Sequence, residues 1–328
     1  QETHDAFTFR FQGDPLCRFA YKPGQFSSVV LDIDGKKVVR SYSISSPPTR
    51  PYTLELTIKR VPGGLVSNWM PDNLKIGDRV RLKGPKGKFC LEPGKIPPKI
   101  FFISAGSGVT PIMSMARWLC DISADVDIRF YCSVRSSQDV IFGKEIEMMT
   151  ERYRLFTPCV ISTTRAQNEP WTGLTGRVNR QMLEMIAPDL RERHIYMCGP
   201  EGFMESVKEI LRDLDIDLTR LHMESFGGLR TTPAQPVAAP AGGTMRVQFA
   251  KTGKTVETDG TQTLLELAED HDIDIDYGCR SGICKDCSVR LLAGKVEGGT
   301  EELSTEEVAA GSVLSCVAMP AGSCVIDA

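Results

Sequence analysis

The chain has 328 residues, of which 41% are hydrophobic and 25% charged, and its formal net charge is −3. This length allows two or three domains with buried cores. The charge balance argues against a generally cationic nucleic-acid binder. No apolar run approaches the roughly 20 residues of a membrane-spanning helix, so we expect neither a nucleic-acid nor a membrane partner.

The cysteine content bears on the redox compartment. There are 11 cysteines, an odd number, and no signal-peptide pattern opens the chain. A secreted disulfide scaffold is usually shorter and denser in cysteine. A reducing, cytoplasmic location is therefore expected, with some thiols binding metal and others packing in cores. The sequence starts at Gln1 without a Met, which leaves the true N-terminus open.

The first hundred residues are predicted to form short β-strands separated by Gly and Pro. Strands are predicted over 26–33, 38–44, 52–60 and 79–82, and turns at Pro23-Gly24, Asp34-Gly35 and Gly84-Pro85. Short strands with frequent turns are typical of a small antiparallel β-barrel. This domain is placed at 1–97.

The pattern changes at Lys99, where strands begin to alternate with helices. Strands are predicted over 99–104, 129–134, 159–164 and 194–198, and helices over 111–121 and 203–214. The first helix has Pro111 in its first turn and apolar residues along one face. The alternation predicts a doubly wound α/β domain over 98–228.

An uncharged stretch, TTPAQPVAAPAGG at 231–243, holds three prolines and two glycines. Such a segment cannot bury a core, so a linker is predicted at 229–244 and a C-terminal domain at 245–328. That domain has 7 Lys and Arg against 15 Asp and Glu, a net −8, and the rest of the chain has 32 against 27, a net +5. Oppositely charged modules can dock on each other or on charged partners, but a solvated acidic surface is an equally simple reading.

The strongest motif is Cys279-x4-Cys284-x2-Cys287, followed by Cys316 after 28 further residues. This is the plant-type spacing of four thiolates that hold a [2Fe–2S] cluster. A structural zinc site is the main alternative, but it favours two pairs of closely spaced cysteines. A redox disulfide is the third reading. With a helix predicted at 263–270, the tail is a small α+β domain.

Three shorter motifs precede these cysteines. Gly106-Ser107-Gly108-Val109-Thr110-Pro111 joins a strand to a helix, where glycines let the backbone approach a pyrophosphate and the helix N-terminus favours its charge. A proline stands where the dehydrogenase fingerprint has its third glycine, and a tight turn without a ligand is the plain alternative. Cys198-Gly199-Pro200 follows a later strand. Arg40-Ser41-Tyr42-Ser43, in the barrel, offers a guanidinium for a phosphate and an aromatic ring for stacking.

The ordered combination of these motifs resembles the ferredoxin–NADP reductase superfamily. R-x-Y-S, G-x-G-x-T-P and C-G-P correspond to its flavin and nicotinamide elements, and Glu224-Ser225-Phe226-Gly227 resembles the terminal E-S-F element of phthalate dioxygenase reductase. The domain order is similar to that reductase, to hybrid-cluster-protein reductases and to reductases of Rieske-type demethylases. The resemblance covers nearly the whole chain. It implies a flavin β-barrel, a doubly wound nicotinamide domain and a β-grasp plant-type ferredoxin domain.

The resemblance also implies a role for each motif residue. Around the flavin, Arg40 would contact its phosphate, Tyr42 the isoalloxazine ring and Ser43 the surroundings of N5. The flavin pyrophosphate would be bound at a helix start formed by Gly64, Leu65, Val66 and Ser67. The nicotinamide dinucleotide would lie against Gly106, Gly108, Thr110, Cys198, Gly199 and Pro200. Ser43, Cys198 and Glu224 would tune geometry and charge at the reacting atoms, with Phe226 covering the flavin until nicotinamide arrives.

The identity of two cofactors is open within the resemblance. The phthalate enzyme uses FMN, whereas Gly84-Pro85-Lys86-Gly87-Lys88-Phe89 is similar to the G-P-x-G-x-F segment of FAD-using relatives, so FAD is favoured. NADH is preferred to NADPH because Asp139 would disfavour a 2′-phosphate, although Arg135 would attract one.

The function implied is an NAD(P)H-dependent oxidoreductase. Hydride would enter at the flavin, and electrons would leave singly through the cluster to a protein partner. A Rieske-type oxygenase or demethylase is the first expectation for that partner, and a hybrid-cluster protein is the second. A redox-sensing flavin and iron–sulfur module without turnover is the alternative of a different class. A monomer is the default.

Overall fold

The computed structural model describes residues 1–164, 171–226, 245–277, 280, 282 and 285–328. The chain divides into two compact units, one formed by Gln1–Val38 and Tyr42–Phe226 and the other by Val39–Ser41 together with the chain after Phe226. The predicted linker lies outside the described residues. The predicted domain boundaries stay predictions.

The N-terminal part of the first unit is an antiparallel β structure. Its elements are β1 (Ala6–Gln12), β2 (Phe26–Ile33), β3 (Lys36–Ser43), β4 (Thr53–Lys59), α1 (Leu65–Asn73) and β5 (Arg81–Lys86). β1 pairs with β4, and β3, β2 and β5 form a second sheet. An antiparallel bridge joins Ile44, just after β3, to Leu56 of β4. Both side chains are fully buried in one apolar core, so the predicted barrel is confirmed.

One predicted turn in this barrel is wrong. Gly84 and Pro85 lie inside β5, which continues to Lys86. The register with β2 shifts between Phe26 and Ser28 at the same place. The glycine at φ +110° allows the strand to continue through this irregularity, since a residue with a Cβ rarely adopts that angle.

The rest of the first unit is an α/β layer structure. Its elements are β6 (Lys99–Ala105), α2 (Val109–Asp121), β7 (Asp127–Val134), α3 (Gly143–Arg152), β8 (Phe156–Ser162), α4 (Arg180–Ile186), β9 (His194–Cys198), α5 (Glu201–Asp213) and β10 (Leu221–Glu224). The strands form a parallel sheet in the order β10-β9-β6-β7-β8. Separate apolar cores cover its two faces, which confirms the doubly wound α/β fold.

Helix α2 differs from its prediction. It begins two residues earlier than expected, at Val109, and every residue from Val109 to Cys120 is buried. The single apolar face expected from the sequence is therefore wrong. A helix buried on all sides packs against more than the sheet beneath it, and its polar residues must find partners inside the protein.

The described C-terminal residues form a small α+β structure. Its elements are β11 (Met245–Phe249), β12 (Lys254–Thr258), α6 (Leu264–Asp270), β13 (Ser288–Ala293), β14 (Val296–Glu297), α7 (Thr305–Ala309), β15 (Ser312–Leu314), β16 (Met319–Pro320) and β17 (Cys324–Ile326). The main sheet has the order β12-β11-β17-β13-β15. Helix α6 starts with a capping box in which Thr263 and Glu266 bond each other's backbone N–H groups, as its Thr-x-x-Glu sequence favours.

Over the described ranges, no helix combines the length and the apolar character that a bilayer crossing needs.

Candidate active site and cluster-binding site

Three predicted site residues meet at the carboxyl edge of the parallel sheet. Cys198 at the end of β9 is in register with Ser104 of β6 and with Glu224 of β10. The Ser43 hydroxyl, at the end of β3 in the barrel, donates a hydrogen bond to Glu224 Oε2 at 3.2 Å, and both side chains are buried. A residue of the barrel is thus joined to the α/β sheet edge where ligands of open α/β sheets bind.

Cys198 at this edge is a neutral thiol. The residue is fully buried, and burial raises its pKa well above the ordinary value, with the negative charge of Glu224 adding to the shift. A thiol in this state is a poor nucleophile because the thiolate is the reactive form. The structure therefore favours a packing or positioning role for Cys198.

The two glycines of the G-S-G turn are needed for different reasons. Gly106 has φ +54°, and a Cβ there would meet nothing within 4 Å. Open space in front of a turn that leads into α2 is what a dinucleotide needs in order to approach. At Gly108, by contrast, a Cβ would lie 2.1 Å from the carbonyl oxygen of Cys198 and 2.7 Å from the Gly199 nitrogen. Gly108 is therefore required by contact between the two loops.

The C-G-P segment completes this pair of loops. A Cβ on Gly199 would lie 3.1 Å from Cβ of Ala105, at the end of β6, and Pro200 is the N-cap residue of α5. Thr110, also predicted to bind the dinucleotide, donates its hydroxyl to the carbonyl of Ser107 at 2.9 Å and is buried. The hydroxyl of Thr110 thus holds the turn, and α2 starts without a side-chain cap or an acidic residue in its first turn. That N-terminus is compatible with a diphosphate.

Strand β3 carries the predicted flavin residues. Arg40 and Tyr42 alternate with Ser43 along the strand, so the first two share one face and Ser43 points to the other. Arg40 is half-buried, and its guanidinium donates to the carbonyl of Val39 at 2.8 Å. Tyr42 packs at the edge of the barrel core.

The second predicted flavin element is the start of α1. Gly64 is the N-cap residue, no side chain caps the helix, and no acidic residue lies in the first turn, which begins with Leu65 and Val66. The first-turn N–H groups are suited to a pyrophosphate. The Ser67 oxygen accepts a hydrogen bond from the Val61 N–H at 3.2 Å, so this hydroxyl also braces the loop.

Phe226 and the residues proposed to read the nicotinamide ribose can also be placed. The Phe226 ring is 39% exposed and lies two residues after Glu224, the last residue of β10. Asp139 accepts hydrogen bonds from the backbone N–H and hydroxyl of Ser136 and forms an ion pair with Lys59. Arg135 is exposed. The carboxylate expected to repel a 2′-phosphate is therefore already paired within the fold.

Two of the four predicted cluster ligands are described, and the fold brings them together. Cys287 immediately precedes β13 and Cys316 follows β15, two strands that pair in antiparallel register. The N–H and hydroxyl of Ser315 both donate to the carbonyl of Cys287, at 3.0 and 2.9 Å. Both cysteines are buried. Cys279 and Cys284 lie outside the described residues.

The described residues of the cysteine loop fit a cluster. Gly282 has φ +79°, and its Cβ position lies 3.2 Å from a methyl group of Val317, next to Cys316. Arg280 lies over the Tyr277 ring at 4.4 Å and forms an ion pair with Glu269 of α6. Arg280 is thereby held against α6, and Gly282 lies next to the turn after β15 that contains Cys316. Thiolate donors on such a loop match the chemistry of a [2Fe–2S] cluster.

The remaining cysteines show mixed environments. Core packing was expected for Cys17, Cys90, Cys120, Cys132, Cys159 and Cys324. Cys120, Cys132 and Cys324 are buried, Cys90 and Cys159 are half-buried, and Cys17 is exposed, so the expectation is wrong for Cys17.

Comparison with known proteins assigns the parts of the chain. Residues 1–90 match the family model of the oxidoreductase FAD-binding domain, residues 102–209 the oxidoreductase NAD-binding domain, and residues 247–321 the 2Fe-2S iron-sulfur cluster binding domain. The glycine betaine monooxygenase reductase subunit of Pseudomonas aeruginosa is 41% identical, over 100% of this chain and 92% of that protein. The chain belongs to the ferredoxin–NADP reductase superfamily.

Two further relatives and one solved structure match the chain over nearly its whole length. The stachydrine N-demethylase reductase subunit Stc4 of Rhizobium meliloti is 36% identical to the reductase, over 97% of this chain and 91% of that protein. NADH oxidoreductase HCR of Escherichia coli is 31% identical, over 99% and 94%. Phthalate dioxygenase reductase has the same fold, with a TM-score of 0.68 at 21% identity, covering 100% of this chain and 95% of that one.

These matches decide several sequence predictions. The reductase is an oxidoreductase that uses FAD, an NAD-type nicotinamide and a [2Fe–2S] cluster, which confirms FAD over FMN and the cluster over zinc. Bound FAD would supply hydride acceptance from the nicotinamide, and a bound [2Fe–2S] cluster would supply transfer of single electrons. Within the chain, the buried Ser43–Glu224 bond joins the barrel to the edge of the α/β sheet.

Sequence reasoning missed a polar network in the reductase. The buried Arg117 of α2 and Glu55 of β4 meet the half-buried Glu145 of α3 in the first unit. No motif marks them, because they are far apart in sequence. The one available signal is an arginine within a helix whose flanking positions are nearly all apolar.

Proposed function

We propose that this reductase is the electron-donating component of a Rieske-type oxygenase or demethylase whose substrate is a betaine. The observation that carries the proposal is the match, over nearly the full length of both chains, to a glycine betaine monooxygenase reductase subunit and a stachydrine N-demethylase reductase subunit. Glycine betaine and stachydrine are both N-methylated amino acids. An oxygenase that removes a methyl group from such a compound needs two electrons for each O2, delivered singly to its metal centres.

The proposed chemistry at the sheet edge assigns one task to each buried residue. Ser43 donates to Glu224, and this bond fixes the hydroxyl beside the position expected for the reacting flavin atom. Glu224 is held in register with Cys198, so the carboxylate and the neutral thiol border the same place. Phe226, two residues further on, covers that place until nicotinamide arrives. None of the four residues forms a covalent bond with the substrate.

The proposed binding roles follow the motifs. The flavin is bound by Arg40, Tyr42, Ser43, Gly64, Leu65, Val66 and Ser67, and the nicotinamide dinucleotide by Gly106, Gly108, Thr110, Cys198, Gly199 and Pro200. The cluster is bound by Cys279, Cys284, Cys287 and Cys316. A monomeric state and a cytoplasmic location stay predictions, as does the preference for NADH over NADPH.

Reconstituted turnover tests the proposed function. The reductase is mixed with NADH, glycine betaine and a purified Rieske oxygenase that acts on glycine betaine. The consumption of NADH, the consumption of O2 and the release of formaldehyde are followed together. We expect one NADH and one O2 consumed for each formaldehyde released, because the removed methyl carbon leaves at that oxidation level. Omitting the betaine should stop formaldehyde release.

The same experiment separates the alternatives. Faster reduction of a hybrid-cluster protein than of the oxygenase would favour that protein as the partner. Absence of sustained turnover with every acceptor, despite bound flavin and cluster, would favour the redox-sensing reading and contradict the proposal. A Cys284→Ser variant serves as the matched control, because it should keep flavin reduction by NADH while losing electron delivery to the oxygenase.

A further inference from the structure

Two side chains of helix α2 donate to the backbone of the barrel. The Ser114 hydroxyl donates to the carbonyl of Ser46 at 2.7 Å, and Nη1 of Arg117, one helical turn later, donates to the carbonyl of Ser45 at 2.6 Å. Both donors are buried, with Arg117 only 5% exposed. The acceptors lie two and three residues after Ser43. The helix that starts at the G-S-G turn is thus bonded to the segment that presents the flavin-facing serine.

The arginine is held in place from several sides. Its remaining guanidinium nitrogens bind both carboxylate oxygens of Glu145 in α3, and Glu55 Oε2 of β4 lies 3.5 Å from Nη1. The Phe142 ring lies against the guanidinium at 4.6 Å. A planar guanidinium with paired carboxylates and a ring face has little freedom to move. Arg117 therefore fixes the position of the Ser45 carbonyl relative to α2.

The segment that receives these bonds is itself rigid. The Ser45 hydroxyl hydrogen-bonds Thr57 Oγ1 at 2.9 Å, and Ser46 Oγ accepts from the Glu55 N–H at 3.0 Å. The Tyr21 hydroxyl is 2.8 Å from the same Ser46 oxygen. A displacement of α2 relative to the barrel would therefore be transmitted to Ser43 rather than absorbed by a flexible loop.

We propose that Arg117 and Ser114 are positioning residues for hydride transfer. They set the distance between the nicotinamide-binding turn at the start of α2 and the Ser43 segment, without touching either cofactor. The inference rests on the reductase reaction in the proposed function, but it does not depend on which oxygenase is the partner. Hydride transfer is sensitive to such placement, since a misplacement of about 1 Å can slow a reaction about a hundredfold.

The chain offers a matched control for the arginine. Arg193 is fully buried, binds the carboxylates of Asp189 and Asp127 and donates to the carbonyl of Ile100. All of these partners lie in the α/β part of the chain, and among the described residues Arg193 forms no hydrogen bond or ion pair with the barrel. Arg193→Met should therefore lower stability as Arg117→Met does, without changing the geometry between the two parts.

The test uses the full-length reductase with FAD and cluster bound and needs no oxygenase. Stopped-flow absorbance gives the limiting rate of flavin reduction and the dissociation constant of NADH, and deuterated NADH gives the isotope effect. We expect Arg117→Met to slow flavin reduction about tenfold or more and Ser114→Ala less, with NADH affinity nearly unchanged. The long-wavelength absorbance that forms when NAD⁺ binds next to reduced flavin should weaken in both variants. Arg193→Met should change neither the rate of flavin reduction nor this absorbance.

Several results would overturn the inference. Flavin reduction within about twofold of wild type in folded Ser114→Ala and Arg117→Met variants would do so, as would an equal loss in Arg193→Met. If Arg117→Met does not fold, Arg117→Lys and Ser114→Ala decide the matter by the same criteria. If Arg117→Met slows flavin reduction tenfold as expected but the wild-type reductase delivers electrons to no oxygenase, the proposed partner is refuted and this inference still holds.

Discussion

Gly108 gives the sharpest quantitative test of the nicotinamide site. Its missing Cβ makes room for the backbone of the C-G-P segment, with the Cys198 carbonyl oxygen at 2.1 Å and its carbonyl carbon at 2.4 Å from the Cβ position. Ordinary contacts start near 3.4 Å, so Gly108→Ala requires a separation of about 1.3 Å between the two loops. The obstructing atoms are backbone, which cannot rotate away as a side chain would.

The expected magnitude follows from that displacement. Overpacking of this kind costs about 1–3 kcal/mol of stability. The larger effect is expected on the reaction, because the displaced loops both form part of the proposed nicotinamide site, and a shift of about 1 Å corresponds to a rate loss of about a hundredfold. Gly106→Ala should behave differently. Its Cβ has open space, so only the positive φ is unfavourable, at about 1–3 kcal/mol.

The assay compares three variants by stopped-flow flavin reduction and thermal unfolding. Gly202→Ala, in α5, is the control because its Cβ meets nothing within 4 Å and its φ is ordinary. Alanine there should raise stability by about 0.5–1 kcal/mol and leave flavin reduction unchanged. A Gly108→Ala protein that reduced its flavin at the wild-type rate would refute the assigned contact between the two loops. A loss in Gly202→Ala as large as in Gly108→Ala would refute it too.

Three other outcomes are expected. Cys284→Ser should abolish the [2Fe–2S] absorbance and keep NADH-dependent reduction of an artificial two-electron acceptor. Cys324→Ser, at a buried cysteine outside the motif, should keep both properties. Loss of both the absorbance and the acceptor reduction in a folded Cys284→Ser protein would contradict the modular arrangement. Phe226→Ala should change either the affinity for the nicotinamide nucleotide or the selectivity between NADH and NADPH. Unchanged kinetics with both nucleotides would contradict the role assigned to Phe226. Burial lowers the pKa of His222 from 6.5 in the folded protein, so below pH 6.5 the unfolded chain binds more protons than the folded one. The melting temperature should therefore fall as the pH drops from about 7 to about 5.5. His222→Phe, which keeps a ring stacked on Tyr196, should flatten that decline, and an equally steep decline would show that other groups cause it.

Much of the fold was predictable because its signals are local. The strands predicted at 26–33 and 194–198 coincide with β2 and β9. A short run of alternating or continuous apolar residues between turn residues favours a β-strand over other secondary structure. The helix predicted at 263–270 likewise agrees with α6, which runs from Leu264 to Asp270 with Thr263 as its N-cap residue. The prediction failed at Gly84-Pro85 and at the single apolar face of α2, because strand pairing and a second packing surface override local preference.

The sequence by itself indicated the [2Fe–2S] cluster, because four cysteines at this spacing are a short pattern that the chemistry of the cluster requires, whereas the choice of FAD over FMN came from the match to known proteins. It could not distinguish the roles of Gly106 and Gly108, since one faces open space and the other a loop 90 residues away in sequence. The Ser43–Glu224 bond, which spans 181 residues, and the Arg117 contacts with the barrel were also decided by tertiary structure alone. Buried polar groups must be paired wherever the fold happens to place them, and that pairing leaves no local mark in the chain.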